Sequence, residues 1–254
     1  MGGIQNKEKI AELCGAVIGD GWIQSNEKSF FLAGDPREDK EYYDFHMLPL
    51  INKILDLKLK TKNFPYWKVY GISIHKKEVI RKLLKFGLSK GKKVDVAFIP
   101  NWIMKSDKRI MKAFILGLFD TDGCIFCQKD YTKYAKEFSS RYHSKIRIRI
   151  SSISKELISQ VFEIMNKLNI RCVKRELKRG WANNRNNHNV YIIEINRLED
   201  IKKFFEDEIS KNQKHITKYL IWKKFGFCPP KTTIEQRKQI LKNELAPHIF
   251  YKQE

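Results

Sequence analysis

Two aspartates stand in the same unusual setting. Asp20 closes the run Leu13-Cys14-Gly15-Ala16-Val17-Ile18-Gly19-Asp20, followed by Gly21. Asp122 closes Phe114-Ile115-Leu116-Gly117-Leu118-Phe119-Asp120-Thr121-Asp122, followed by Gly123. Each run is apolar and carries small residues four apart, Gly15 and Gly19 in the first, Gly117 and Thr121 in the second. Residues i and i+4 share one helix face, so each run predicts a narrow strip where two backbones approach closely. The glycine after each acid suits the left-handed residue that commonly ends a helix. Both acids then fall at helix C-termini, where the macrodipole disfavours negative charge by about 0.3–1 kcal/mol. If the two helices pack side by side in the same direction, the carboxylates finish together, a poor arrangement unless a cation fills the gap. Hard oxygen ligands with open positions suit Mg²⁺, completed by water and phosphate oxygens. Either run alone would read as an ordinary amphipathic helix with a surface Asp-Gly end; two copies about a hundred residues apart argue for more.

The elements around the two runs repeat as well. The pattern predicts a helix over 7–20, strands over 22–24 and 30–33, and a helix over 40–57 that Pro49 should kink. Strands over 59–64 and 67–74 and a helix over 77–86, ended by Gly87, complete the first half. A bridge over 88–107 leads to a second helix over 108–121. Strands over 125–127 and 145–152 follow, separated by a long insertion, then a helix over 155–168. Strands over 171–177 and 190–195 pair across a polar loop, and Asn196 with Glu199 suggests the cap of the next helix. The order αββαββα therefore occurs twice, an internal duplication of about 100 residues read from pattern rather than identity. The expected organisation is a first repeat with linker over 1–105, a second over 106–226 and a helical extension over 227–254. In the extension, Thr232 and Glu235 look like a capping box; this tail either packs on the second half or is a partly mobile arm.

Composition narrows the partner. The 254 residues include 50 Lys and Arg against 29 Asp and Glu, a net charge of +21. Solubility needs a net charge of only about 2–8 in a small domain. The excess points to a polyanion, bound through counterion release from phosphates. No apolar run reaches the roughly 20 residues of a spanning helix, and the start lacks a signal-peptide core, so no membrane is expected. Five cysteines form no disulfide framework and fit a reducing interior, cytoplasm or an organelle matrix. Cys124 and Cys127 make a lone Cys-x-x-Cys on an expected strand, with no second ligand pair at a zinc-like spacing.

Period two places Lys145, Arg147 and Arg149 on one strand face and Ile146, Ile148 and Ile150 on the other. Three cations in a row repel unless something anionic covers them. Arg171, Arg175 and Arg179 fall on one face of a second strand, Lys68 and Tyr70 share a face in the first half, and Gln24 and Lys28 lie on its first hairpin.

On these motifs the sequence resembles the LAGLIDADG homing endonucleases in their single-chain, two-motif form. The second motif matches closely over residues 116–123; the first keeps its last acid, Asp20, but has Ile18 where the family often carries an earlier, non-catalytic acid. The resemblance implies an α+β fold of two pseudo-symmetric αββαββα repeats, each with an antiparallel sheet, the pair forming a saddle on double-stranded DNA. It assigns metal binding to Asp20 and Asp122, with the carbonyls of Gly19 and Thr121 as auxiliary ligands. The ion expected is Mg²⁺, with Mn²⁺ as an alternative and Ca²⁺ as a non-catalytic substitute. Each acid would serve the cut of one strand across the minor groove, leaving short 3′ overhangs. Asp120 is expected to be a helix-end or interface residue. The family often places a lysine near each scissile phosphate, which here gives Lys93 and Lys214, with plain phosphate or surface lysines as the alternative. The loops around 131–143 and 179–189, including Arg185, would mainly reach phosphates.

The chain is expected to act as a monomer, encoded within an intron or standing free. A different reading is an intron RNA maturase, or another non-cleaving nucleic-acid binder on the same fold. A regulator would show a helix-turn-helix segment, an intein flanking splicing blocks, and a metabolite enzyme a phosphate loop; the sequence offers none of these.

Overall fold

The computed structural model describes residues 2–91, 97–178, 189–206 and 210–251. Helix α1 (Gly2–Asp20) and helix α5 (Lys108–Asp122) run side by side in the same direction. Their contact is made by backbone rather than side chains. A Cβ on Gly15 would lie 2.1 Å from the Phe114 carbonyl oxygen, and one on Gly117 would lie 2.0 Å from that of Glu12. One on Gly19 would lie 2.0 Å from Thr121 Oγ1. The strip of small residues is therefore a condition of the packing. Asp107 starts α5 by accepting hydrogen bonds from the backbone N–H groups of Arg109 and Ile110, which leaves those donors satisfied at the helix start.

Each helix passes without a turn into the first strand of a sheet, β1 (Gly21–Ile23) or β5 (Gly123–Gln128). The glycines at these junctions are not left-handed. Gly123 has φ −77° and ψ 162°, and Gly21 is not among the positive-φ residues. They are required by space, because a Cβ on Gly123 would lie 2.1 Å from the Phe119 ring and one on Gly21 would lie 2.6 Å from the Val17 carbonyl oxygen.

The first sheet comprises β1, β2 (Phe30–Gly34), β3 (Lys62–Phe64) and β4 (Val69–Ile74), all antiparallel in the order β1-β2-β4-β3. The second comprises β5, β6 (Lys145–Ser152), β7 (Val173–Leu177) and β8 (Val190–Ile195) in the same arrangement, β5-β6-β8-β7. Matching registers relate the sheets: Gly21 pairs with Leu32 and Gly123 with Ile150; Phe31 pairs with Ser73 and Arg149 with Glu194. The inward faces, with Ile23, Leu32 and Ile72 in one sheet and Ile125, Ile148 and Ile193 in the other, join Leu13, Phe114 and Leu118 in one continuous apolar core. The opposite faces are left uncovered.

The helix behind the first sheet, α2 (40–55), departs from the α form before Pro49. Tyr43–Met47 form a π turn closed by a bond from the Leu48 N–H to the Tyr43 carbonyl. A proline ring crowds the carbonyl four residues earlier, and the widened turn accommodates it. Helix α3 (Lys77–Lys85) closes the first repeat, and α4 (Asn101–Met104) lies in the bridge. The insertion after β5 contains α6 (Glu137–Arg141). Helices α7 (Lys155–Lys167), α8 (Leu198–Glu206) and α9 (Gln213–Phe225) complete the second repeat. Asn196 lies one residue upstream of the cap of α8, since the Arg197 carbonyl accepts the bond from Ile201.

The last helix, α10 (Ile234–Leu241), is capped one residue later than the sequence suggests. Thr233 and Gln236 form the reciprocal box. The extension is docked across both repeats. Arg237, fully buried, donates to the Thr233 and Lys214 carbonyls and pairs with Glu38 at 3.4 Å, while Lys238 pairs with Glu41.

Candidate metal centre and nucleic-acid interface

Because α1 and α5 are parallel and in backbone contact, Asp20 and Asp122 finish together at their C-terminal ends. Asp20 is half-buried and accepts a hydrogen bond from the Tyr43 hydroxyl at 3.0 Å, whereas Asp122 is exposed. A third acid joins them. A Cβ on Gly34 would lie 2.6 Å from Asp39 Oδ2 and 3.0 Å from Asp20 Oδ2, so both carboxyls converge on this glycine. Burial pushes the Asp20 carboxyl up to about 7, and the charges of Asp122 and Asp39 add to it against the pull of Lys214.

Lys214 is the cation of this cluster. Its Nζ donates to the Thr121 carbonyl at 3.1 Å and pairs with Asp39 Oδ1 at 2.9 Å. Burial works against its charge, but Asp39, then Asp20 and Asp120, hold it above the ordinary lysine range. The loop before α9 is fixed by Asp120, which is fully buried and accepts from Ser210 Oγ and the Lys211 N–H, both at 2.6 Å. Asn212 Nδ2 donates to Asp39 Oδ1 at 2.7 Å and to the Asp120 carbonyl at 3.0 Å. Asp120 is therefore a structural acid, two residues from an exposed one.

These donors fit a hard divalent cation. They are carboxylate and carbonyl oxygens with an excess of negative charge, and burial followed by the neighbouring acids raises the Asp20 carboxyl. Among the described residues no group of three or more His, Cys, Asp or Glu side chains forms a metal cage. A two-carboxylate site completed by water and phosphate is the arrangement Mg²⁺ tolerates, since that ion dehydrates reluctantly.

The uncovered sheet faces flank this centre. On the second, Lys145, Arg147, Arg149 and Arg175 share a face with Cys124, Phe126 and Gln128. The anion that relieves the cation row lies within the sheet. Glu194, 1% exposed, pairs with Arg147 and, at 2.8 Å, with Arg149, whose guanidinium lies 4.8 Å from the centre of the Phe126 ring. Burial pushes Glu194 up, but the two arginines hold it below the usual carboxylate range. Arg171 is removed from this surface. It precedes the strand and is tied to Glu199 at 3.0 Å and Asp200 at 3.2 Å, where α8 begins.

The first sheet corrects two more expectations. Tyr70 faces inward, 6% exposed, its hydroxyl donating at 2.6 Å to Asp44. Lys68 lies outside the strand in the left-handed conformation, φ 55°, after a short 3₁₀ turn. The two therefore share no strand face. Gln24 and Lys28 sit on the β1–β2 hairpin, where the Gln24 N–H bonds to the Ser29 carbonyl. Lys93, Arg179 and Arg185 lie outside the described residues. Cys124 and Cys127 point to opposite faces, as positions three apart on a strand must, and Cys127 instead packs beside Cys228 of the extension.

Asp39, Tyr43, Asn212 and Glu194 are contributors that the spacing of motifs does not reveal. Glu194 alone carries a local signal, an acid in the otherwise apolar strand Tyr191-Ile192-Ile193-Glu194-Ile195.

Comparison with known proteins agrees with this geometry. Residues 109–207 match the family model described as a LAGLIDADG-like domain. The homing endonuclease I-DmoI in complex with DNA and calcium superposes with a TM-score of 0.52 at 19% identity, covering 82% of this chain and 94% of that one. I-LtrWI, a LAGLIDADG homing endonuclease bound to target DNA, gives 0.55 at 14% identity, over 87% and 90%. I-DmoI has also been solved with target DNA in the presence of manganese, at a TM-score of 0.51. A segment of the replication factor C small subunit of Methanocaldococcus jannaschii is 29% identical over 216 residues, and the match spans 84% of this chain but a tenth of that protein's length. Most of the second repeat thus matches a LAGLIDADG-like domain model, and the two-repeat fold is the one seen in I-DmoI and I-LtrWI.

Proposed function

We propose that this chain is a site-specific, metal-dependent DNA endonuclease that hydrolyses both strands of a long duplex target as a monomer, leaving short 3′ overhangs. The observation that supports this most is the convergence of Asp20 and Asp122 at the ends of two parallel helices, with Asp20 lifted to about 7 in a cluster short of positive charge. Asp20 and Asp122 would hold Mg²⁺ or Mn²⁺, with the Gly19 and Thr121 carbonyls beside them. The ion would supply an activated water and neutralise charge on the phosphoryl oxygens. Lys214, kept charged by Asp39, would meet the phosphate of one strand; Lys93 is its counterpart for the other. Arg147, Arg149 and Arg175 would face base edges, where arginine is suited to guanine. The fold shared with I-DmoI and I-LtrWI, both solved on DNA, supports the duplex as partner.

The test is cleavage of a randomised duplex library with Mg²⁺ and with EDTA, followed by sequencing of the ends. Staggered, metal-dependent cuts at one motif are expected. No cutting, with tight salt-sensitive binding to structured RNA, would replace the nuclease by a maturase.

A further inference from the structure

The two uncovered sheet faces have the same geometry and opposite chemistry. Register equates Phe31 with Arg149 and Ser73 with Glu194. Where the second sheet carries an arginine pair around a buried glutamate, the first carries an aromatic cluster. Trp22 stacks on Phe31 with ring centres 5.9 Å apart, and Phe31 meets the edges of Phe64 at 5.7 Å, Trp67 at 5.3 Å and His75 at 5.8 Å. Trp22 remains 41% exposed and Trp67 54%. In a chain of net charge +21, exposed aromatic rings gathered on one sheet face mark a candidate contact surface. Trp22 lies two residues after Asp20, in the strand that leaves α1. Trp22 lies flat against Phe31 while Phe64, Trp67 and His75 meet Phe31 edge-on, so the rings form one contoured apolar surface.

In the major groove the apolar feature of a base edge is the thymine methyl group, and guanine is read by paired donors. The first sheet carries Phe31, not arginine, at the position corresponding to Arg149. We infer that the two halves of the DNA target are read by different chemistry: the half under the first repeat through thymine methyl groups seated on Trp22, Phe31 and Trp67, and the half under the second through guanine by arginine. This rests on the endonuclease reading above and adds the base composition of each half-site.

The test uses the full chain and the site recovered from the library, with thymines replaced by deoxyuridine in one half at a time. Only the 5-methyl group is lost. Each methyl seated on the cluster should cost about fourfold in Kd, the equivalent of one buried CH₂. The effect should be confined to one half, and it should vanish there in Trp67→Ala or Trp22→Ala. Equal binding of thymine and deoxyuridine in both halves would overturn the inference while leaving the nuclease intact. So would thymine dependence that the tryptophan variants leave unchanged, or self-association abolished by Trp67→Lys. Failure to bind any duplex would overturn both readings.

Discussion

Asp20→Asn removes a charge while keeping the side chain's shape and the oxygen to which Tyr43 donates. The Asp20 carboxyl is raised from 3.8 to about 7, first by burial and then by Asp122. The folded chain therefore binds this proton more tightly than the unfolded chain does. Ionisation weakens the metal-free fold progressively as pH rises from about 4 to about 7, and the whole penalty is present above that. A shift of this size corresponds to at most about 4 kcal/mol, and solvent relaxation around a half-buried group reduces it to about 2 kcal/mol. In EDTA the variant should thus gain about 2 kcal/mol near pH 8, or about 4–8 °C in Tm for a chain of this size, and nothing near pH 4. Mg²⁺ or Ca²⁺ should then raise the Tm of the wild type, most strongly above about pH 7, and that of the variant little. Thermal unfolding at the two pH values, with and without metal, makes the measurement. An Asn variant destabilised equally at both would refute the reasoning and make Asp20 a structural acid.

Gly117→Ala would place a methyl 2.0 Å from the Glu12 carbonyl oxygen, which belongs to backbone that cannot swing away, so chemical denaturation should show a loss of about 3 kcal/mol. Lys214→Met should leave duplex affinity nearly unchanged and lower cleavage about a hundredfold, as expected for removal of a transition-state contact. It also strands Asp39, so adding Asp39→Asn should recover stability without activity, a split visible in Tm against rate. Glu194 is held below the usual carboxylate range by Arg149 and Arg147 after burial has pushed it up, so its contribution is present at neutral pH and lost as pH falls through that lowered value. Glu194→Gln should flatten the acid limb of the stability curve and steepen the salt dependence of DNA binding by about one charge.

The parts of this molecule written locally are legible in its sequence. The small-residue strip, the repeated αββαββα order and the inward isoleucines of β6 follow from spacing alone, and the structure has them. Contributions that depend on a partner far along the chain are not. Asp39 looks like a surface acid in a polar stretch, and it becomes part of the centre only through Asn212 and Lys214, more than 170 residues later. Tyr70 faces the core rather than the partner because period two says which residues share a face, not which face is covered. The hydroxyl chose the side where Asp44 and Thr61 could accept or share its proton. The aromatic face of the first sheet is written in the same periodicity, in Trp22 and Phe31, but carries no charge to mark it.

Asp120 and Asp122 explain how an unfavourable centre is held rigid. Positions i and i+2 on a helix face nearly opposite ways, so the Asp-x-Asp spacing cannot make a chelating pair; it divides one inward acid from one outward. The inward acid fixes the loop that carries Lys214, and the fully buried Arg237 takes the Lys214 carbonyl from the other side. The second lysine is thus positioned by its own repeat through Asp120, by the first repeat through Asp39, and by the extension. In the first repeat Ile18 stands at the place of Asp120, so the inward acid belongs to the second motif alone, just as the two sheets differ in chemistry. Duplication supplies the frame, and the copies differ in chemistry at matched positions, Ile18 against Asp120 and Phe31 against Arg149.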